Sequence, residues 1–229
     1  MSRFVVVDLE MCNVTKDEHP HLRSEIIQIG AAALDENLEI RDTFMTYVRP
    51  QFGTIDKRIR KLTGISNDDV KNAPDVEEAL KLFLDWLPLD AVLVSWSNND
   101  EHQISEEVRM KRIAFPELSR LFGGWIDCQK TFSEIIESDR CYKLSEALAI
   151  SGVEYDDVFH DALVDAKNTA LLFRKMETEE VFTFSVYYLK EEEEQHLTYN
   201  PFRDLFASLC ASSQPAYKRS PSRDSFFNR

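Results

Sequence analysis

The chain has 229 residues, of which 43% are hydrophobic and 30% are charged, as in ordinary soluble globular proteins. Its formal net charge of −14 argues against a protein that coats nucleic acid by charge. The four cysteines include no C-x-x-C pair, which argues against a structural zinc site and fits a reducing compartment. The N-terminus lacks a signal-peptide pattern and no apolar run is long enough for a membrane span, so we expect a cytoplasmic protein.

Hydrophobic patterns in the first half of the chain predict three strands, short helices and one amphipathic helix. The strands are expected at residues 4–7, 25–34 and 40–48, the last two joined as a hairpin. Short helical pieces lie on either side of Thr63-Gly64. Asp75 is placed to cap a helix over 76–87, whose apolar residues recur at helical spacing.

The second half alternates strands with helices. Strands are expected at 91–96 and 125–127, and helices after residue 98, over 143–151 and over 161–176. Strands followed by helices, after an opening hairpin, predict an α/β fold with a mixed sheet. We predict one domain over 1–177 and an extension over 178–229, with a strand at 183–190, a short helix at 200–209 and a mobile basic tail from 216.

Two acids follow the first predicted strand. Asp8 and Glu10 are two residues apart, so strand geometry places both side chains on one face, together with Phe4 and Val6. Two like charges this close oppose each other's ionisation unless a cation lies between them. The alternative is a strand end that simply reaches solvent.

Asp100 and Asp165 are acids on helix positions that face inward. Asp100 is four residues before Ile104, over the apolar stripe of its helix, although it could serve only to favour the helix N-terminus. Asp161 can cap the last predicted helix, which leaves His160 just outside it. Asp165 then lies on a stripe of small and apolar residues, where a satisfied core aspartate is the alternative.

Together these residues predict a catalytic metal site. Four carboxylates can hold two hard divalent cations, and such a pair stabilises the attacking and leaving oxygens of a phosphodiester displacement. A nearby histidine has a pKa suited to taking a proton from water. The sequence contains no G-x-S-x-G, P-loop or G-x-G-x-x-G motif that would indicate another chemistry.

These motifs resemble the DEDDh 3′–5′ exonuclease family, the group of RNase T and the epsilon subunit of DNA polymerase III. The segments that carry the resemblance are VVVDLEMC with Asp8 and Glu10, VSWSNNDEHQI with Asp100, FHDALVDA with His160 and Asp165, and the L-T-G-I stretch after RIRK. The match covers residues 4–176 and is most similar to the ERI-1-like and KapD-type branch, which is associated with RNA 3′ ends. Motif two lacks the aromatic residue often found beside its aspartate.

The resemblance implies an RNase H-like fold, two Mg²⁺ or Mn²⁺ ions and release of 5′-mononucleotides from single-stranded 3′ ends of RNA or DNA, with RNA favoured. It assigns the ions to Asp8, Glu10, Asp100 and Asp165, and the role of general base to His160. It also places the terminal nucleotide near Met11 and the Leu62-Thr63 loop. Trp96 is a weaker substrate candidate, for which a core position is the alternative.

Because the chain is acidic, affinity for a polyanion must come from local basic groups. The candidates are Arg58, Arg60 and Lys61 before the L-T-G-I loop, Arg109, Lys111 and Arg112 late in the motif-two helix, and the C-terminal tail. Each could instead be a solvated face. The alternative functions are DNA proofreading, degradation of short oligoribonucleotides and, in a different class, a catalytically silent nucleic-acid-binding module.

Overall fold

A computed structural model describes residues 4–185 and the strand Ala216–Lys218. A five-stranded mixed sheet organises the N-terminal part of the chain. Its strands are β1 (Phe4–Asn13), β2 (Ser24–Leu34), β3 (Ile40–Tyr47), β4 (Val92–Ser95) and β5 (Ile126–Asp127). Their order is β3-β2-β1-β4-β5. Strand β2 pairs antiparallel with both β1 and β3, whereas β4 pairs parallel with both β1 and β5. The predicted mixed sheet is therefore confirmed, and β1 runs six residues past the predicted end at Val7.

The helices follow the predicted order. They are α1 (Lys57–Thr63), α2 (Asn67–Val70), α3 (Val76–Trp86), α4 (Asn99–Lys111), α5 (Cys128–Ile135), α6 (Leu144–Ser151) and α7 (Ala162–Thr178). Asp75 caps α3 through a capping box with Glu78, and Gly64 ends α1 in the left-handed conformation. Helix α5 and the 3₁₀ helix Pro116–Leu121 were not predicted, because at eight and six residues each is too short to show a full apolar period.

The two faces of the sheet are occupied differently. Val5, Val7 and Leu9 lie on one face of β1 and pack into a buried cluster with residues of α3 and α4, such as Phe83 and Ile104. The opposite face of β1 carries Asp8 and Glu10. Strand β2 is buried along almost its whole length, as expected for an inner strand covered on both faces. The packing of α3 and α4 therefore occupies one face of β1, and the acids lie on the other.

The chain divides into two compact units. The first comprises Met1–Cys128 and Asp156–Ala170, and the second comprises Gln129–Tyr155 and Leu171–Arg229. In the second unit, β6 (Val181–Thr183) pairs antiparallel with β7 (Ala216–Lys218). The predicted strand 183–190 overlaps β6 at Thr183 and has no strand structure at 184–185, and its residues 186–190 lie outside the described part of the chain. The predicted helix 200–209 and the rest of the basic tail lie outside the described residues, and the domain boundary at residue 177 stays a prediction.

Within the described part of the chain, no helix has both the length and the apolar character needed to cross a membrane.

Candidate active site

Asp8 and Glu10 project from the same face near the end of the regular part of β1. Glu10 is buried, with 8% of its surface exposed, and Asp8 is half-buried. In the register with β2, Asp8 lies opposite Gly30 and Glu10 opposite Gln28, and a bulge follows between Glu10 and Met11. The bulge ends the strict alternation directly after the second acid, a position at which strands often re-aim a side chain.

Asp100 reaches the same strand end from α4. This helix begins soon after β4, which runs parallel to β1, so the carboxyl ends of both strands meet at one edge of the sheet. Asp100 is 6% exposed, and its carboxylate accepts a hydrogen bond from the backbone N–H of Leu9, which lies between Asp8 and Glu10 in sequence. The three acids are therefore held at one place.

His160 and Asp165 enter from the start of α7. Asp161 caps the helix, because its Oδ1 accepts the backbone N–H of Leu163 at 3.0 Å and of Val164 at 3.1 Å. The backbone N–H of His160 donates to Oδ2 of Asp165 at 2.8 Å. The imidazole of His160 is exposed, whereas Asp165 is buried, as the small-residue stripe predicts.

Ligand atoms from three elements converge. One atom each from Glu10, His160 and Asp165 lie within 4.8 Å of one another. The charges that raise the pKa of Asp8 most belong to four carboxylates: Asp100, Asp165, Glu10 and Asp161. The structure thus brings together all five residues that the sequence analysis selected.

Burial and mutual repulsion perturb the acids strongly. Burial, followed by the neighbouring carboxylates, raises the pKa of Asp8 well above its usual range and that of Glu10 to about 8. Burial raises the pKa of Asp100 to about 7, against the hydrogen bond from Leu9. Burial also raises the pKa of Asp165. A cation between these groups would reverse the penalty on their charged forms.

One oxygen atom of the cluster is direct evidence that the site suits a cation. Oδ1 of Asp165 is buried and accepts no hydrogen bond from the described residues, while Oδ2 is taken by His160. A buried carboxylate oxygen without a donor is unfavourable unless a ligand satisfies it. Because hard divalent cations prefer carboxylate oxygen, the donor set fits such an ion.

Two residues that locate this site, Gln28 and Gly30, were not predicted from the sequence, and a third was assigned too small a role. Gln28 is 1% exposed and accepts the backbone N–H of Ala162 at 3.0 Å. A Cβ on Gly30 would overlap the backbone of Ala162 and Leu163, so only glycine allows this approach of α7 to β2. Asp161 was recognised only as a cap, although its charge raises the pKa of Glu10. The single glycine inside β2 was the available signal.

The predicted substrate residues lie in different settings. Met11 and Thr63 are half-buried, and Leu62 has 47% of its surface exposed. The strand after Met11 and the loop after α1 are neighbours, because Cys12 shares a buried cluster with Ile59 and Ile65. Trp96 is 9% exposed, which fits the core alternative. Roles for these four residues in substrate binding stay predictions.

Lys111 was predicted either to bind substrate or to lie on a solvated helix face, and the structure shows that it does neither. Its side chain is 7% exposed, and its Nζ contacts Glu25 at 2.5 Å and Glu107 at 2.6 Å. Its charge is therefore used in a buried ion triad. Helical periodicity alone did not reveal this, because the partner Glu25 comes from β2.

Comparisons with known proteins agree with this geometry. The RNase T model, described as exonuclease, matches residues 5–173. The chain belongs to the RNase T exonuclease family. A solved nuclease domain of 3′hExo, described as a DEDDh family member bound to rAMP, is 27% identical with a TM-score of 0.64, over 76% of this chain and 90% of that one. The predicted DEDDh resemblance and RNase H-like α/β fold are confirmed, and the family uses divalent metal ions.

The names of characterised relatives refer to RNA in some cases and to DNA in others. Human 3′-5′ exoribonuclease 1 is 28% identical over 182 residues, which is 75% of this chain and 51% of the relative. The DNA polymerase III subunit epsilon of Aquifex aeolicus is 30% identical over 186 residues, covering 80% of this chain and 84% of the relative. The chain thus spans about half the length of the human relative.

Proposed function

We propose that this protein is a two-metal 3′–5′ exonuclease that releases 5′-mononucleotides from single-stranded ends, with RNA as the preferred substrate. The observation that carries the proposal is the convergence of Asp8, Glu10, Asp100 and Asp165 beside His160, with Oδ1 of Asp165 buried and without a donor. A silent binding module is disfavoured because all five residues of the catalytic pattern are present.

Asp8, Glu10, Asp100 and Asp165 would hold two divalent ions, Mg²⁺ or Mn²⁺. The ions supply stabilisation of the charge that develops on the attacking and leaving oxygens of the phosphodiester. The raised pKa values of these acids imply that the ions also keep the carboxylates ionised near neutral pH.

His160 would act as the general base. Its backbone is held by the hydrogen bond to Asp165, while its imidazole is exposed and can exchange protons with solvent. A neutral imidazole beside the acid cluster can remove a proton from a water molecule that attacks the phosphorus. One ring nitrogen of His160 lies within 4.8 Å of carboxylate oxygens of Glu10 and Asp165, so the base would be close to ions held by these acids.

The preference for RNA has support from similarity. Human 3′-5′ exoribonuclease 1 is named for RNA, and a solved 3′-exonuclease of 26% identity is described in 3′-end-specific recognition of a histone mRNA stem-loop. DNA proofreading is the second candidate, because the Aquifex epsilon subunit matches over more of its own length. A cytoplasmic location stays part of the proposal.

The decisive experiment offers 5′-labelled single-stranded RNA and DNA of equal sequence with Mg²⁺ or Mn²⁺. We expect a ladder that shortens from the 3′ end, faster on RNA, and no ladder from Asp8→Asn protein of native fold. Internal cleavage, or equal activity of Asp8→Asn, would overturn the exonuclease mechanism. Faster digestion of DNA would replace the RNA preference by the proofreading alternative.

A further inference from the structure

Gln28 joins β2 to the first turn of α7. Its side chain is 1% exposed, its Oε1 accepts the backbone N–H of Ala162 at 3.0 Å, and its Nε2 donates to Oδ2 of Asp161 at 3.4 Å. Because a backbone N–H can only donate, the amide oxygen of Gln28 must face Ala162. The NH₂ group of the same amide then faces Asp161. Gln28 is also the register partner of Glu10. One amide therefore connects the strand opposite the acids with the turn that carries His160.

Gly30 makes this connection possible. It lies two residues from Gln28 on the same face of β2, opposite Asp8, and its missing side chain lets the backbone of Ala162 rest directly on the strand. Hydrogen bonding by Gln28 then sets the position of α7 along that strand. Without the amide, the contact at Gly30 limits how close the helix comes but supplies no directional bond.

The turn before α7 needs such support. His160 has φ of 67°, in the left-handed region that residues other than glycine adopt infrequently. Its backbone N–H is bonded to Asp165. One carboxylate oxygen of Asp161 accepts hydrogen bonds from the N-terminal N–H groups of α7, and the other accepts a hydrogen bond from Gln28. These bonds hold a strained turn in one conformation and keep the Asp161 carboxylate occupied beside the acid cluster.

We propose that Gln28 is a positioning residue of the active site, which fixes the His160–Asp165 turn against the Asp8–Glu10 strand end without contacting the reacting atoms. This inference rests on the proposed exonuclease function. Correct placement of a general base has a large effect on rate, since a shift of about 1 Å can lower a rate by about 100-fold. Gln28 is thus required for catalysis through geometry.

The test compares Gln28→Met with Gln103→Met. Gln103 is a matched control, because it is also buried in the first unit, 7% exposed, and bonds Ser24 at 2.7 and 3.1 Å through its amide. We expect both variants to lose thermal stability. Only Gln28→Met should lower kcat on the labelled strand, by about 10- to 100-fold, with KM changed less than about threefold.

A second measurement does not depend on turnover. In metal-free, ¹⁵N-labelled protein, the imidazole signals of His160, assigned with His160→Asn, should move or broaden in Gln28→Met and match the wild type in Gln103→Met. Unchanged His160 signals together with wild-type kcat, or equal loss of kcat in both variants, would overturn the positioning role. An inactive wild type would refute the proposed function instead, while the imidazole signals still decide whether Gln28 positions His160.

Discussion

At the scale of single residues, the least ordinary feature is the backbone of His160. His160 directly precedes the helix cap and has a left-handed φ of 67°. The hydrogen bond from its backbone N–H to Asp165 stabilises this conformation. The exposed imidazole and the buried carboxylate are therefore linked through the main chain. This arrangement separates the proposed roles: Asp165 offers a buried oxygen to a cation, and His160 offers a solvent-accessible base.

Replacement of His160 should lower the rate by orders of magnitude while leaving metal binding nearly intact, because a base is lost and four carboxylates remain. His160→Asn is the better variant than His160→Ala, since asparagine adopts the left-handed conformation more readily. Single-turnover rates and calorimetric Mn²⁺ titration measure the two effects. A large loss of Mn²⁺ affinity in His160→Asn would make the histidine a ligand, which its position near Glu10 and Asp165 also allows.

At the scale of elements, two contacts position the strand and helix ends around the site. Gly30 allows α7 to lie against β2, and the ion triad of Glu25, Lys111 and Glu107 joins β2 to the end of α4. Glu25 also accepts backbone N–H groups of residues 51–53. Burial acts to raise the pKa of Glu25, but the bonds from Lys111 and these backbone groups outweigh it and lower the pKa.

Gly30→Ala should both destabilise the protein and reduce activity, because the new methyl group overlaps backbone atoms of α7 that cannot rotate away. Overpacking of this kind costs about 1–3 kcal/mol, or more where the backbone must move. Gly123→Ala is the control, since a Cβ there meets open space. Urea denaturation and the labelled-strand assay report on both variants, and a Gly30→Ala protein as stable and active as Gly123→Ala would contradict the close contact.

Lys111→Met should lower the free energy of unfolding by about 3–5 kcal/mol, because it leaves two buried carboxylates without their cation. The exposed pair of Lys71 and Asp68 provides the comparison. Lys71→Met should change stability far less, because solvent screens an exposed ion pair. If chemical denaturation gives similar values for both variants, the buried triad does not have the role that its geometry indicates.

At the scale of the whole molecule, acidic charge has two effects. The net charge of −14 repels a polyanion, so substrate affinity depends on local basic groups and should fall steeply with salt. The acid cluster adds a repulsion of its own, which bound cations relieve. Metal ions bound at the cluster would therefore contribute to the stability of the fold as well as to the proposed chemistry.

In EDTA, thermal stability should fall as pH rises from about 5 to 8. The pKa values of Glu10, about 8, and Asp100, about 7, lie above their unfolded values, so the folded state holds protons that the unfolded state has lost. Stability from these protonated acids is present at low pH and is lost as pH passes the folded pKa values. Melting curves with Mg²⁺ should show a larger rise in Tm at pH 8 than at pH 6.

Asp8→Asn distinguishes the effect of the acid cluster on stability from the effect of the overall negative charge. The variant lacks one of the carboxylates that raise each other's pKa, so its stability in EDTA should decline less with pH and its Tm should respond less to Mg²⁺. A wild-type Tm that stays constant or rises from pH 5 to 8 in EDTA would contradict the raised pKa values.

Local patterns in the sequence determined most of the elements and the identity of the acids. Period-two spacing placed Asp8 and Glu10 on one face of a strand, and helical spacing placed Asp165 on the buried stripe of α7, because both periods are properties of local backbone geometry. Only the tertiary structure decided what those faces meet. Gln28 reaches Ala162 across 134 positions and Glu107 reaches Ile26 across 81, contacts that no local period encodes. For the same reason Lys111, whose spacing resembles a surface helix, is buried between two glutamates, and Gly30 is the point at which α7 rests on the sheet.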